Sequence, residues 1–210
     1  MSRKIRASTL LFALAVAVVV VAGCGGGNDS ANGSPTTATA GNEPASAPVC
    51  PPAWRPGWQK LADQIKAPVY CPSWLPEPLT GEIGGQWEAM HSVLDNRSYL
   101  IGFLWYEANV AEVHVNFRGY PGTTAIPNCN GRPCFNDPGE KKTIAGLDIQ
   151  VYNVNRGADT WHVLYAWETE GSLYTVSQHV VPGLGLPYGT VTANLDRIVR
   201  GLVRIDAQQS

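Results

Sequence analysis

Six stretches rich in β-branched and aromatic residues, with short breaks, dominate this 210-residue chain between residues 86 and 181. They cover residues 86–94, 99–107, 111–120, 147–154, 160–168 and 173–181, and turn signals such as Asp95-Asn96-Arg97, Asn155-Arg156-Gly157 and Glu170-Gly171 separate several of them. Alternation is explicit in places. Ala111, Val113, Val115 and Phe117 fall on one face of a strand, and Glu112, His114, Asn116 and Arg118 on the other. Trp161, Val163, Tyr165 and Trp167 likewise share a face. Consecutive strands joined by short links pair antiparallel, so these segments predict a meander of about six strands.

Helical periodicity is confined to the flanks. Trp58, Leu61, Ala62 and Ile65 form one face of a short helix within 57–66, and Leu195, Ile198, Val199 and Leu202 form a stripe in a closing helix that Thr192 can cap. Between the first helix and the strands, Pro68, Pro72, Pro76 and Pro78 impose an extended passage. The expected fold is therefore α+β: an antiparallel sheet with the C-terminal helix on one face and a short N-terminal helix. The opposite face must be solvated, covered by the proline-rich passage, or used to bind something.

The start of the chain has a different character. Arg3, Lys4 and Arg6 precede an unbroken apolar run from Leu10 to Ala22, which as a helix rises about 20 Å, short of the roughly 30 Å hydrocarbon core. That is the pattern of a secretory leader rather than a membrane span. The run ends in Val21-Ala22-Gly23-Cys24, which resembles the lipobox of bacterial lipoproteins. The resemblance implies cleavage before Cys24, acyl chains on the Cys24 thiol, and a cell-membrane location facing outside the cytoplasm. Residues 25–49 hold no large apolar side chain before Val49 and read as a flexible tether spanning roughly 25–30 Å. The expected organisation is a signal peptide at 1–23, a lipidated cysteine and tether at 24–49, and one extracytoplasmic domain at 50–210.

Four cysteines remain, and an even number in an exported domain favours disulfides. Cys129 and Cys134 bracket a small loop whose Asn130-Gly131 step favours a tight turn, which leaves Cys50 to pair with Cys71. Neither half has the Cys-x2-Cys spacing of a zinc site.

The stretch from Lys142 onward, with Thr143-Ile-Ala-Gly146, Ile149-Gln-Val151, Leu164-Tyr-Ala-Trp167, Gly171-Ser-Leu-Tyr174 and the final helix, is similar to a domain of unknown function found in extracytoplasmic bacterial proteins. That resemblance implies a curved, LolA-like antiparallel sheet and carries no catalytic residues.

Composition and motif content narrow the function by subtraction. The chain carries net charge −2, and losing Arg3, Lys4 and Arg6 with the leader leaves 12 basic against 17 acidic residues, or −5. With no basic run, neither nucleic acid nor an anionic lipid surface is an expected electrostatic partner. His91, His114, His162 and His179 all lie in predicted strands without helical ligand spacing; Glu88 and His91 would converge only on a helix. No Gly-x-Ser-x-Gly elbow occurs, and Gly183-Leu-Gly185 lacks the strand–helix setting of a phosphate loop, so no catalytic, cofactor or metal residue is assigned. Seven tryptophans read as core and N-terminal packing, with an apolar or sugar-stacking groove as the functional alternative. The expectation is a non-enzymatic binding domain for an envelope protein or apolar ligand. The alternatives are an envelope hydrolase with an unrecognised site and a sensor partner of an anti-sigma factor.

Overall fold

The computed structural model describes residues 46–79, 91–107, 111–158 and 161–208. Cys24 and the lipobox lie outside these residues, as do Glu88 and most of the strand expected at 86–94. Residues from 45 onward form one compact unit.

The architecture is mixed α/β with antiparallel sheets. Helix α1, Arg55–Ile65, is followed by β1 (Val69–Pro72), β2 (His91–Val93), β3 (Tyr99–Glu107) and β4 (Ala111–Tyr120). A small hairpin, β5 (Asn128–Cys129) and β6 (Arg132–Pro133), leads into β7 (Pro138–Ile144), β8 (Leu147–Val154), β9 (Trp161–Thr169) and β10 (Ser172–Val180). Helix α2, Tyr188–Arg200, and β11, Leu202–Ile205, close the described chain. The main sheet has seven strands in the order β2-β3-β4-β10-β9-β8-β7. It is thus two meanders, β2 to β4 and β7 to β10, joined edge to edge where β10 pairs with β4.

Several expectations need correction. The sheet exceeds six strands because Pro138–Ile144 adds an exposed edge strand whose charged sequence carries no apolar alternation. Helix α2 starts at Tyr188 with Pro187 at its N-cap, so Thr192 lies inside it and donates its hydroxyl to the Gly189 carbonyl. Leu202 belongs to β11, which pairs with β1. Gly201 permits this ending: a Cβ there would lie 2.4 Å from Ser73 Oγ, while its carbonyl accepts a bond from the Ser73 N–H at 2.9 Å. The proline-rich passage therefore lies on the helix side and leaves the opposite face of the sheet uncovered by it.

The main core lies between sheet and helices. Trp58, Leu61, Ala62 and Ile65 of α1 and Val191, Leu195, Ile198 and Val199 of α2 are buried against Phe117, Val151, Tyr165, Trp167 and Val176. Each such aliphatic side chain contributes about 2 kcal/mol by leaving water. Among the six described tryptophans, five belong to this core or pack against it, and Trp105 is 38% exposed. The tryptophans thus build the core side of the molecule. Lys142, Tyr165 and Asp196 bind one another at the seam of β7, β9 and α2, with Lys142 Nζ 2.6 Å and Tyr165 OH 2.8 Å from the carboxylate, which docks the helix. Among the described residues, no helix is long and apolar enough to cross a membrane.

Buried tyrosines set an alkaline limit on this core. Burial pushes the Tyr174 hydroxyl from 10 up to about 12 and raises Tyr99 and Tyr165 as well, the last aided by the Asp196 carboxylate. Unfolding releases these groups to titrate near 10, so above that pH the unfolded chain binds fewer protons and is favoured. Stability should hold below pH 10 and fall between pH 10 and 12, by as much as about 1.4 kcal/mol per pH unit for each group. Urea midpoints across this window check it. A flat profile, or one unchanged by Tyr174→Phe, would contradict it.

Candidate metal centre

The face of the sheet away from the helices carries a set of imidazoles that side-chain alternation and register bring together. On β4, Val113, Val115 and Phe117 enter the core, so His114, Asn116 and Arg118 take the opposite face. On β9 and β10 the same alternation sends Val163, Tyr165, Tyr174 and Val176 inward. It sends His162, Leu164, Ser177 and His179 to the opposite face. His162 and His179 are direct cross-strand partners, and His114 stands beside His179, one step past the Val115–Gln178 pair. Ring centroids lie 3.8 Å apart for His162–His179, 3.9 Å for His114–His179 and 4.9 Å for His114–His162.

Geometry of this kind suits metal ligation. One nitrogen from each ring lies within 4.8 Å of the others, and the two Nε2 atoms of His114 and His162 are 2.7 Å apart. That separation is an N–H···N bond, one ring donating and the other accepting. Two imidazoles on one tetrahedral ion with bonds near 2.0–2.1 Å stand about 3.4 Å apart, so a side-chain adjustment of well under 1 Å converts the bond into a ligand pair. Burial, reinforced by His179, His114 and Arg118, pushes the His162 imidazole down to about 3, so it is neutral at physiological pH. A neutral imidazole is the form that ligates. Leu104 and Val154 flank the set in the same cross-strand row and give it an apolar border.

The next row mixes polar and apolar side chains. Asn116 pairs with Ser177, which pairs on its other side with Leu164. Asn116 Oδ1 is buried and has no hydrogen-bond partner among the described residues. Asn116, Ser177, Arg118 and His162 line a recess of about 210 Å³, and the Cys129–Cys134 loop forms its rim. Phe135, just past that loop, packs on Leu164, Ala166 and Leu173 and against Tyr152 at 4.8 Å, which holds the rim to the sheet.

No family model, curated protein or solved structure matches this chain. The reading of the centre rests on its geometry.

The cysteines assigned from sequence pair as expected among the described residues. Cys50–Cys71 and Cys129–Cys134 form disulfides with Cα separations of 5.6 and 4.8 Å. The histidines are what helical spacing rules miss, since the three imidazoles come from three strands. Part of the signal was nonetheless local. Glu170 and Gly171, both at positive φ, make a two-residue hairpin turn, and His162 and His179 each lie eight residues from it. A two-residue turn centred there pairs them directly. The arrival of His114 depends on β4 pairing with β10, 50 or more residues away, which no local pattern specifies.

Proposed function

We propose that this chain is a lipid-anchored extracytoplasmic protein whose domain binds a divalent transition-metal ion through His114, His162 and His179. The observation that carries the metal reading is the convergence of three imidazole nitrogens within 4.8 Å on one sheet face. Three imidazole nitrogens favour zinc, copper or nickel over calcium and magnesium, which take oxygen ligands. The lipobox-like Val21-Ala22-Gly23-Cys24 supports the anchor, and two disulfides suit an oxidising compartment. An apolar ligand is less well supported by the recess beside His162, which is lined by polar groups as well as Phe135 and Leu164.

An envelope hydrolase would use the same three ligands to activate water. Binding is the better supported reading, since the described lining of the recess includes no Asp or Glu to act as general base.

Calorimetric titration of the purified chain with zinc, nickel and copper tests the centre. Each of His114→Ala, His162→Ala and His179→Ala should weaken zinc binding by at least about a hundredfold while circular dichroism stays unchanged. Zinc bound as tightly by the triple alanine variant would sink the assignment. The anchor is tested in parallel: Cys24→Ala should move the protein from the membrane to the soluble fraction. Retention of that variant in the membrane would refute lipidation at this residue.

A further inference from the structure

A three-histidine centre leaves part of the ion's coordination sphere open, and the surroundings indicate what fills it. Neutral imidazoles leave the two positive charges of the ion uncompensated. Arg118, on the same face two rows away and lining the recess that His162 also lines, adds a third. The described lining residues include no Asp or Glu. Concentrated positive charge in a partly buried site is costly without a counter-charge. The lining does include hydrogen-bonding groups close to the ligands. Asn116 and Ser177 occupy the row next to the histidines, and Asn116 Oδ1 lacks a partner among the described residues. A recess of about 210 Å³, roughly 7 Å across if spherical, is sized for a group of a few heavy atoms rather than a polymer.

We propose that the ion's open position takes a small oxyanion, a carboxylate or phosphate group, with one oxygen on the metal and another held by the Arg118 guanidinium. This rests on the metal reading above and specifies the ligand of that same site. The planar guanidinium presents paired N–H donors that match either anion, and a lysine in its place would offer only a point charge. Asn116 Oδ1 accepts a bond from a protonated ligand oxygen or a metal-bound water, and the Ser177 hydroxyl is placed to donate. Between them they satisfy the ligand without adding negative charge.

Cobalt substitution provides the test, because visible bands of cobalt(II) report changes in its ligands. The purified chain, stripped with chelator and loaded with cobalt, is titrated with sodium acetate, with sodium phosphate and, at matched ionic strength, with sodium chloride. A saturable band change with acetate or phosphate, at least about tenfold tighter than with chloride, is expected. Acetate and phosphate arms show which oxyanion is preferred. Arg118→Ala should still show cobalt bands, since Arg118 is not a ligand, but should weaken the anion response about tenfold; Arg118→Lys should restore it only in part. Bands that ignore both anions, or respond equally in Arg118→Ala, overturn the oxyanion proposal and leave the metal centre standing. Failure to form cobalt bands at all would overturn the metal reading and this proposal with it.

Discussion

Replacing Trp58 with alanine should destabilise the domain by about 4 kcal/mol, the largest loss expected from any single substitution here. The indole is fully buried on the inward face of α1 and meets Phe117 of β4 edge-on, with centroids 5.7 Å apart. Helix α1 is only 11 residues long and has no side-chain cap at its N-terminus, so it owes its stability to the stripe of Trp58, Leu61, Ala62 and Ile65 rather than to propensity. Removing the largest member of the stripe opens a cavity between helix and sheet that neighbouring rings cannot fill without leaving their own contacts. Trp58→Phe retains part of the volume and should cost less than half as much. Chemical unfolding measured by fluorescence of the other tryptophans checks this; a loss below about 1 kcal/mol for Trp58→Ala would show that α1 is not docked as described.

The second large effect is expected from Cys50→Ala with Cys71→Ala. Both cysteines are buried, at 1% and 0% exposure, and their bond spans a sequence separation of 21 residues. On the loop-entropy model that bond stabilises the fold by about 3 kcal/mol. The Cys129–Cys134 bond closes a separation of only 5, for which the same model gives about 2 kcal/mol. Its removal frees the rim of the recess rather than the core. Urea midpoints of the two double variants, compared with the parent chain, should rank in that order. Equal midpoints for the Cys50/Cys71 variant and the parent would show that burial alone holds α1 and β1 in place.

Legibility from sequence followed the physics of each element. Strands β4 and β8 could be placed because their core-facing side is the more deeply buried, which writes a period of two into the residues, whereas β9 and β10 are buried on both faces along much of their length and stand out as β-branched and aromatic runs bounded by turn signals. The edge strand β7, Pro-Gly-Glu-Lys-Lys-Thr-Ile, buries only Ile144, so no such period is imposed on it. The pair β1–β11 is four residues long and includes Pro72, and its two halves are separated by most of the domain, so local pattern could not join them. The disulfides were legible because a tight turn and an even count leave little choice. The histidines are dispersed along the chain, and the sheet assembles three of them across it. One hairpin register was available from Glu170-Gly171; the β4–β10 junction was not.

That first disulfide also decides how the domain responds to being pulled. Chain leading toward the N-terminus enters the fold at Cys50, which is bonded to Cys71 of β1, and Cys71 pairs with Val203 of β11. Tension arriving from that side crosses the sulfur bridge directly to the β1–β11 ladder. The intervening 20 residues, α1 included, are left as a slack loop that carries none of it. With the bridge reduced, the same tension would peel α1 from the sheet one turn at a time. On the anchoring proposed above, the core and the imidazole set on the far face would thereby be mechanically isolated from a pull on the N-terminal side.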